Sequence, residues 1–301
     1  MNRGIWMGLA MSVLLAAPAV AQEKTDCALI KFSDLPITTL TDGRFTVPVT
    51  VEGRVLNFLV DTGGVSATMT GVQAFNLGLT ILPTTRELRG VAKTRLNRFA
   101  RVKNFSLGRL QGVDIPVYVD HYLPAGADGT LSPDMMKQFD VDIDLARGTL
   151  SLFSQKHCPG KVVHWTRSGY VVLPMTVASR SGHIEVPVTV DGKKFVALLD
   201  TGARHSIISM RAAKALGISE NSPDLKLVSD ADTEYKRYDY PFKVLGFDGV
   251  SVSRPRLEIV SDNFLPGRDT DMIIGNSILR RLHLYIAYGE EKLYITPALA
   301  N

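Results

Sequence analysis

The chain contains itself twice, and each copy carries the same tripeptide at the end of an apolar run. Asp61-Thr62-Gly63 follows Phe58-Leu59-Val60, and Asp200-Thr201-Gly202 follows Ala197-Leu198-Leu199. Upstream, Val47-Pro48-Val49-Thr50-Val51-Glu52-Gly53 matches Val186-Pro187-Val188-Thr189-Val190-Asp191-Gly192. Downstream, Leu77-Gly78-Leu79 matches Leu216-Gly217-Ile218, and the offset stays at 139 (186 − 47 and 200 − 61). Residues 130–152 then align with 273–295 at an offset of 143 (273 − 130). Copies of this length are domain-sized, too long for a solenoid repeat. A lone aspartate in a strand-ending turn is common. Two in matching surroundings point to two carboxylates brought to one place, a known way to activate water.

Most of each copy reads as β. Residues 44–51, 55–60, 113–119, 183–190, 195–199 and 256–260 combine alternation and β-branched residues with Gly or Asp turns. Residues 51–53 and 190–192 have the composition of hairpin turns. Further hairpins join 141–145 to 149–153 and 284–287 to 292–296. Helix is sparse. Residues 209–216 form the best candidate, with Ser209 as N-cap and Gly217 as stop; 70–77, stopped by Gly78, is its counterpart. Short helical turns are expected at 134–139 and 277–282.

The N-terminus has the pattern of a signal peptide. Arg3 supplies the positive region, residues 9–17 are apolar, and Ala19-Val20-Ala21 fits the small-x-small cleavage pattern. Cleavage after Ala21 is expected, and with it a periplasmic or secreted protein. The apolar stretch is too short to span a bilayer stably, so no stable membrane insertion is expected after cleavage. There are only two cysteines, Cys27 and Cys158. An oxidising compartment would let them pair and pin the N-terminal segment to the linker between the copies. Lipid modification of Cys27 is the alternative, and the charged Lys24-Thr25-Asp26 before it argues against that. The net charge of +4, with no dense Lys/Arg cluster among aromatics, gives no argument for nucleic acid. The expected organisation is a signal peptide at 1–21, an N-terminal segment at 22–37, a first lobe at 38–155, a linker at 156–167 and a second lobe at 168–298.

These residues resemble the pepsin and retropepsin superfamily of aspartic proteases. The resemblance rests on apolar-apolar-Asp-Thr-Gly followed by a small residue, Gly64 or Ala203, and on the later Ile273-Ile274-Gly275 before a short helix. It implies a mainly β fold of two tandem retropepsin-like β-barrel lobes, of the bacterial exported type. It also implies an aspartic endopeptidase with Asp61 and Asp200 as its catalytic pair. Thr62, Gly63, Thr201 and Gly202 would support that pair, the threonines by hydrogen bonds across the two loops. By the same resemblance, flaps would place Gly90, Val91 and Ala92, and Ser229, Asp230 and Ala231, near substrate. Two departures stand out. The first copy reads Thr130-Leu131-Ser132, with serine where the motif has glycine, and the stretch 228–233 has no glycine.

The chemistry needs neither cofactor nor metal. Two close carboxylates cannot both ionise comfortably, so they share a proton, and the titration belongs to the pair. The ionised member deprotonates a water while the other donates to the substrate carbonyl. With both aspartates in one chain, a monomer suffices, and the expected partner is a peptide or protein substrate. A peptide-binding module without catalysis, and an envelope scaffold of the same fold, are the competing readings. Arg204 opposes Val65 and could tune the pair by its charge; His205 opposes Ser66 and reads as a packing or surface residue. His157, Cys158 and His164 match no standard metal spacing. Asp140, Asp142 and Asp144 alternate along a strand and read as a solvated face.

Overall fold

The computed structural model describes residues 27–89, 95–228, 236–261 and 270–298. The region read as a signal peptide, residues 1–21, lies outside them.

Each copy is built around one hairpin. In the first, Phe45–Val51 pairs antiparallel with Arg54–Val60; in the second, Ile184–Val190 pairs with Lys193–Leu199. Glu52 and Gly53 turn the first with φ of 47° and 79°, and Asp191 and Gly192 turn the second with φ of 48° and 86°. Two successive positive φ angles suit the right-handed twist of the strands. The acidic residue at each turn also has a task. Glu52 accepts from the amide of Asn104 at 3.2 Å, and Asp191 accepts from the amides of Lys243 and Val244 at 2.9 and 2.8 Å. Each turn thereby fixes where the next strand begins.

Beyond each hairpin the sheet continues in the same order. Arg54–Val60 pairs in parallel with Gly129–Leu131, which pairs with Thr68–Thr70, which pairs in parallel with Ile115–Asp120. In the second copy the matching strands are Lys193–Leu199, Met272–Ile274, Ser206–Ser209 and Leu257–Val260. Short helices follow, Gly71–Asn76 capped by Thr70 and Met210–Ala215 capped by Ser209, each stopped at a positive-φ glycine, Gly78 or Gly217. These are two curled, tandem β lobes of one architecture.

Among the described residues a third, six-stranded sheet joins the lobes. Its order is Lys31–Pro36, Thr149–Phe153, Asp140–Asp144, Leu282–Ala287, Lys292–Pro297 and Val171–Pro174. The N-terminal segment is thus a strand of the interlobe sheet. Cys27 and Cys158 are joined as a disulfide with Cα atoms 4.8 Å apart, within the ordinary range.

The sheet corrects one expectation. Asp140, Asp142 and Asp144 are buried, not solvated. The connection from 154 to 168 covers their face and brings its histidines with it. His157 Nε2 lies 2.6 Å from Asp140 Oδ2, and His164 Nε2 lies 3.0 Å from Asp142 Oδ2. His283, from the second lobe, reaches Asp142 Oδ1 at 2.5 Å and carries Trp165 stacked on its ring at 4.3 Å. Buried carboxylates need such partners. The duplication holds the signal for this: at an offset of 143 the three aspartates match His283, Tyr285 and Ala287, a set unsuited to a solvated face.

Candidate active site

Each Asp-Thr-Gly loop leaves the end of a buried strand. The amide of Asp61 donates to Leu131 O and that of Asp200 to Ile274 O, both at 3.0 Å. The strand that runs parallel to the hairpin therefore positions each aspartate. Behind the aspartates the two loops interlock through their threonines. The amide of Thr62 donates to Thr201 Oγ1 and the amide of Thr201 to Thr62 Oγ1, both at 3.0 Å. Each hydroxyl then donates onward, Thr62 to Leu199 O and Thr201 to Val60 O, both at 2.7 Å. A hydroxyl supplies one donor and an acceptor, and here both are used in a fully buried setting.

The carboxyls turn towards each other over the glycines. Gly63 donates to Asp61 Oδ1 at 3.1 Å, and Gly202 to Asp200 Oδ1 at 2.9 Å. A Cβ on Gly63 would sit 2.5 Å from Asp200 Oδ2, and one on Gly202 would sit 2.5 Å from Asp61 Cγ. Each glycine is thus required by the opposite lobe's carboxyl rather than by its own φ. The two aspartates lie within one chain, each carboxyl packed against the glycine of the opposite loop. Burial, and then the charge of Asp200, pushes Asp61 up to about 7. Burial also pushes Asp200 up, against the amides of Ala203 and Gly202, the Asp61 hydrogen bond and the charge of Arg44. Arg44 comes from the first lobe, is paired with Asp42, and reaches Gly202 O at 3.4 Å.

The serine at 132 has a structural account. Its hydroxyl donates to Ser66 O at 3.1 Å and fills the space beside Gly64, where a Cβ would meet Ser132 Oγ at 2.5 Å. In the second lobe the small and larger residues are exchanged. Ala203 carries the Cβ, and Gly275 carries none; a Cβ there would sit 2.7 Å from Ala203 O. Asn276 then holds this loop, donating from Nδ2 to Thr201 O at 2.5 Å and Ala203 O at 3.0 Å.

Some supports are not evident from either motif. Asp134 Oδ2 accepts from Ala67 N at 3.1 Å, and Ser277 Oγ accepts from Ser206 N at 2.9 Å. Asp134 and Ser277 are equivalent at the offset of 143, so the duplication marks them as a pair tying each loop to the short helix behind it. Gly90, Val91 and Ala92, and Ser229, Asp230 and Ala231, expected on the flaps, lie outside the described residues. Among the described residues no cluster of His, Cys, Asp and Glu could hold a metal ion. No helix of these residues is long and apolar enough to cross a membrane.

The family model for aspartyl proteases matches residues 47–134 and 186–278, one segment in each lobe. No curated protein sequence matches the chain. Among solved structures, the aspartic proteinase from Irpex lacteus superposes with a TM-score of 0.56 at 14% identity, over 88% of this chain and 97% of that one. Basic 7S globulin from soybean superposes with a TM-score of 0.52 at 8% identity, over 88% of this chain and 95% of that one. At these identities the likeness is one of fold: the two-lobed, pepsin-like aspartic protease fold.

Proposed function

The chain belongs to the aspartyl protease family, and we propose that it is an exported aspartic endopeptidase acting as a monomer. The observation that carries this reading is the facing of Asp61 and Asp200, held by the threonine interlock. Asp61, raised to about 7, keeps the shared proton across the acidic range. Both carboxyls accept two loop amides; the charge of Arg44, which reaches Gly202 O at 3.4 Å, assigns the ionised role to Asp200. Asp200 takes a proton from a water held between the two, and the water oxygen attacks the peptide carbonyl carbon. Asp61 donates its proton to the carbonyl oxygen. The tetrahedral adduct then breaks its C–N bond as the amine nitrogen receives the proton held by Asp200. The carbonyl oxygen returns its proton to Asp61, which restores the starting state. No covalent intermediate forms, and the interlock matters because small misplacements of the pair cost rate steeply.

The lobes are read as 38–155 and 168–298, and each holds one matched family segment. The Cys27–Cys158 disulfide supports maturation in an oxidising compartment. A second reading is a cleft that holds a peptide without cutting it. It is favoured by the likeness to a protein named as a globulin, because a fold does not carry an activity with it.

The test is cleavage of a diverse peptide mixture by mature protein between pH 3 and 7, alongside Asp61→Asn and Asp200→Asn. Each variant should stay folded and lose cleavage, with the double variant little worse than either single, because the pair acts as a unit. Asn variants that cleave at the wild-type rate would overturn the dyad reading. A wild type that binds peptides and never cleaves them would put the binding module in its place.

A further inference from the structure

The lobes repeat each other in backbone, yet the walls beside the two aspartates differ in chemistry. Strand registers give the equivalences. Thr68 stands seven residues beyond Asp61, and Ile207 seven beyond Asp200. In the first lobe Thr68 pairs with Tyr118, Tyr118 with Phe99, and Phe99 with Leu82. In the second, Ile207 pairs with Glu258, Glu258 with Asp239, and Asp239 with Lys226. Three apolar or aromatic positions of one lobe are therefore charged in the other, and Val65 beside the first aspartate becomes Arg204 beside the second. Val65, Phe99 and Tyr118 pack in one apolar cluster.

The charged wall lines a cavity of about 880 Å³ that opens next to the Asp200 loop. Neither aspartate lines it. Arg204, four residues beyond Asp200, does, together with Asn276, which holds that loop, and Asp42 from the first lobe. Some of its charges are already matched. Glu258 is bound by His205 at 3.0 Å and by Arg237 at 3.1 Å, and Asp42 is bound by Arg44. Arg204, which donates from Nε to His205 Nε2 at 2.6 Å, and Lys226, Arg256 and Arg280 remain without an ion pair, exposed on the wall, against two exposed carboxylates, Asp224 and Asp239. Among the described residues none of these six takes part in a salt bridge. Three of these four cations are arginines, whose planar fork takes a carboxylate through two parallel hydrogen bonds.

We infer that this cleft selects peptides bearing a carboxylate against the second lobe, with Arg204, Arg256 and Arg280 as its specificity-determining residues. The inference rests on the proteolytic reading of the same site. The carboxylate comes from an Asp or Glu side chain on the second-lobe side of the scissile bond, or from a peptide C-terminus lying there. The apolar cluster around Val65 suits an apolar side chain on the opposite side.

The test uses matched peptide sets at a pH where glutamate is ionised. In one set Glu or Gln is placed in turn at each position around the scissile bond, with amidated C-termini. In a second set the C-terminus near that bond is either free or amidated. Wild type should prefer the Glu peptide at one or more positions on one side, or the free C-terminus, by roughly tenfold in kcat/KM. That is the size expected for two or three solvent-bordering ion pairs, and it should shrink as salt is raised. In Arg204→Gln/Arg256→Gln/Arg280→Gln the ratio should fall to within about twofold. Should the triple variant fail to fold, Arg204→Gln and Arg280→Gln singly should each lower it by about two- to threefold. Cleavage with equal rates for every matched pair, or a preference that survives the substitutions, overturns the inference and leaves the protease intact. If wild type cleaves nothing, anisotropy with the same peptides decides. Tighter binding of the carboxylate-bearing peptides, lost in the variant, upholds the charge selection while the protease reading falls. Equal binding overturns both.

Discussion

Thr62 and Thr201 each accept the other's backbone amide on a side-chain hydroxyl, at 3.0 Å in both directions, although 139 residues separate them. Each hydroxyl also satisfies a buried carbonyl, on Leu199 or Val60. Removing either hydroxyl leaves a buried N–H without an acceptor and a buried C=O without its donor. Thr62→Ala or Thr201→Ala should cost about 2–4 kcal/mol in urea denaturation, since each orphaned group costs about 1–3. Thr→Ser should recover most of this, and Thr→Val, which keeps the shape alone, should not. The double alanine variant should cost less than the two singles added together, because the sites share one network.

Gly64 and Ser132 form a size-matched pair that the second lobe inverts as Ala203 and Gly275. Gly64→Ala drives a methyl into Ser132 Oγ and should cost about 1–3 kcal/mol through overpacking. Ser132→Gly loses the hydrogen bond to Ser66 O and should cost about 1 kcal/mol. The double variant recreates the arrangement of the other lobe, so a double-mutant cycle should return a favourable coupling of about 1 kcal/mol or more. A coupling near zero would mean that the loop around residues 64–66 absorbs the methyl by moving.

Stability should fall as pH rises through neutrality. The folded value for Asp61, about 7, lies above the unfolded value of about 3.9, so the folded state binds the extra proton. The stability this provides is complete below the unfolded value and is lost as pH passes through about 7. Asp61→Asn removes the titration of residue 61 and leaves that of Asp200. Relative to wild type, its melting temperature should therefore be higher at pH 8 than the same comparison gives at pH 4. Peptide cleavage should decline over the same interval as the shared proton leaves.

The interlobe sheet should be sensitive to acid. Burial works against the ionised form of Asp142, but hydrogen bonds from His164 and His283, and their charges, outweigh it and hold the carboxyl below its ordinary range. That stability is present above the unfolded value and is lost as pH falls through the folded one. His283→Leu leaves Asp142 with His164 alone and removes the contact of His283 Nδ1 with Asp144 at 3.3 Å. Breaking such a buried pair should cost about 3–5 kcal/mol. It should also flatten the acid limb of the stability curve, which a merely local packing loss would leave in place.

The duplication was legible because it is a property of spacing. Matched hydrophobic alternation, turn residues and Asp-Thr-Gly recur at a constant offset, and local backbone physics turns each into the same hairpin, parallel strand and capped helix. The placement of Thr62, Gly63, Thr201 and Gly202 beside the aspartates follows from that repeat. What the chain does with its faces was decided by tertiary structure. Asp140, Asp142 and Asp144 alternate as a solvated edge would, and only the crossing of residues 154–168 and the arrival of His283 bury them. The exchange of Gly64 and Ser132 for Ala203 and Gly275 is likewise invisible one copy at a time, because each residue is small enough for its own turn. Period and spacing specify which backbone groups pair within a lobe. Which side chains cover which surface depends on contacts more than a hundred residues apart, and those exist only once the two lobes and the connection between them are packed together.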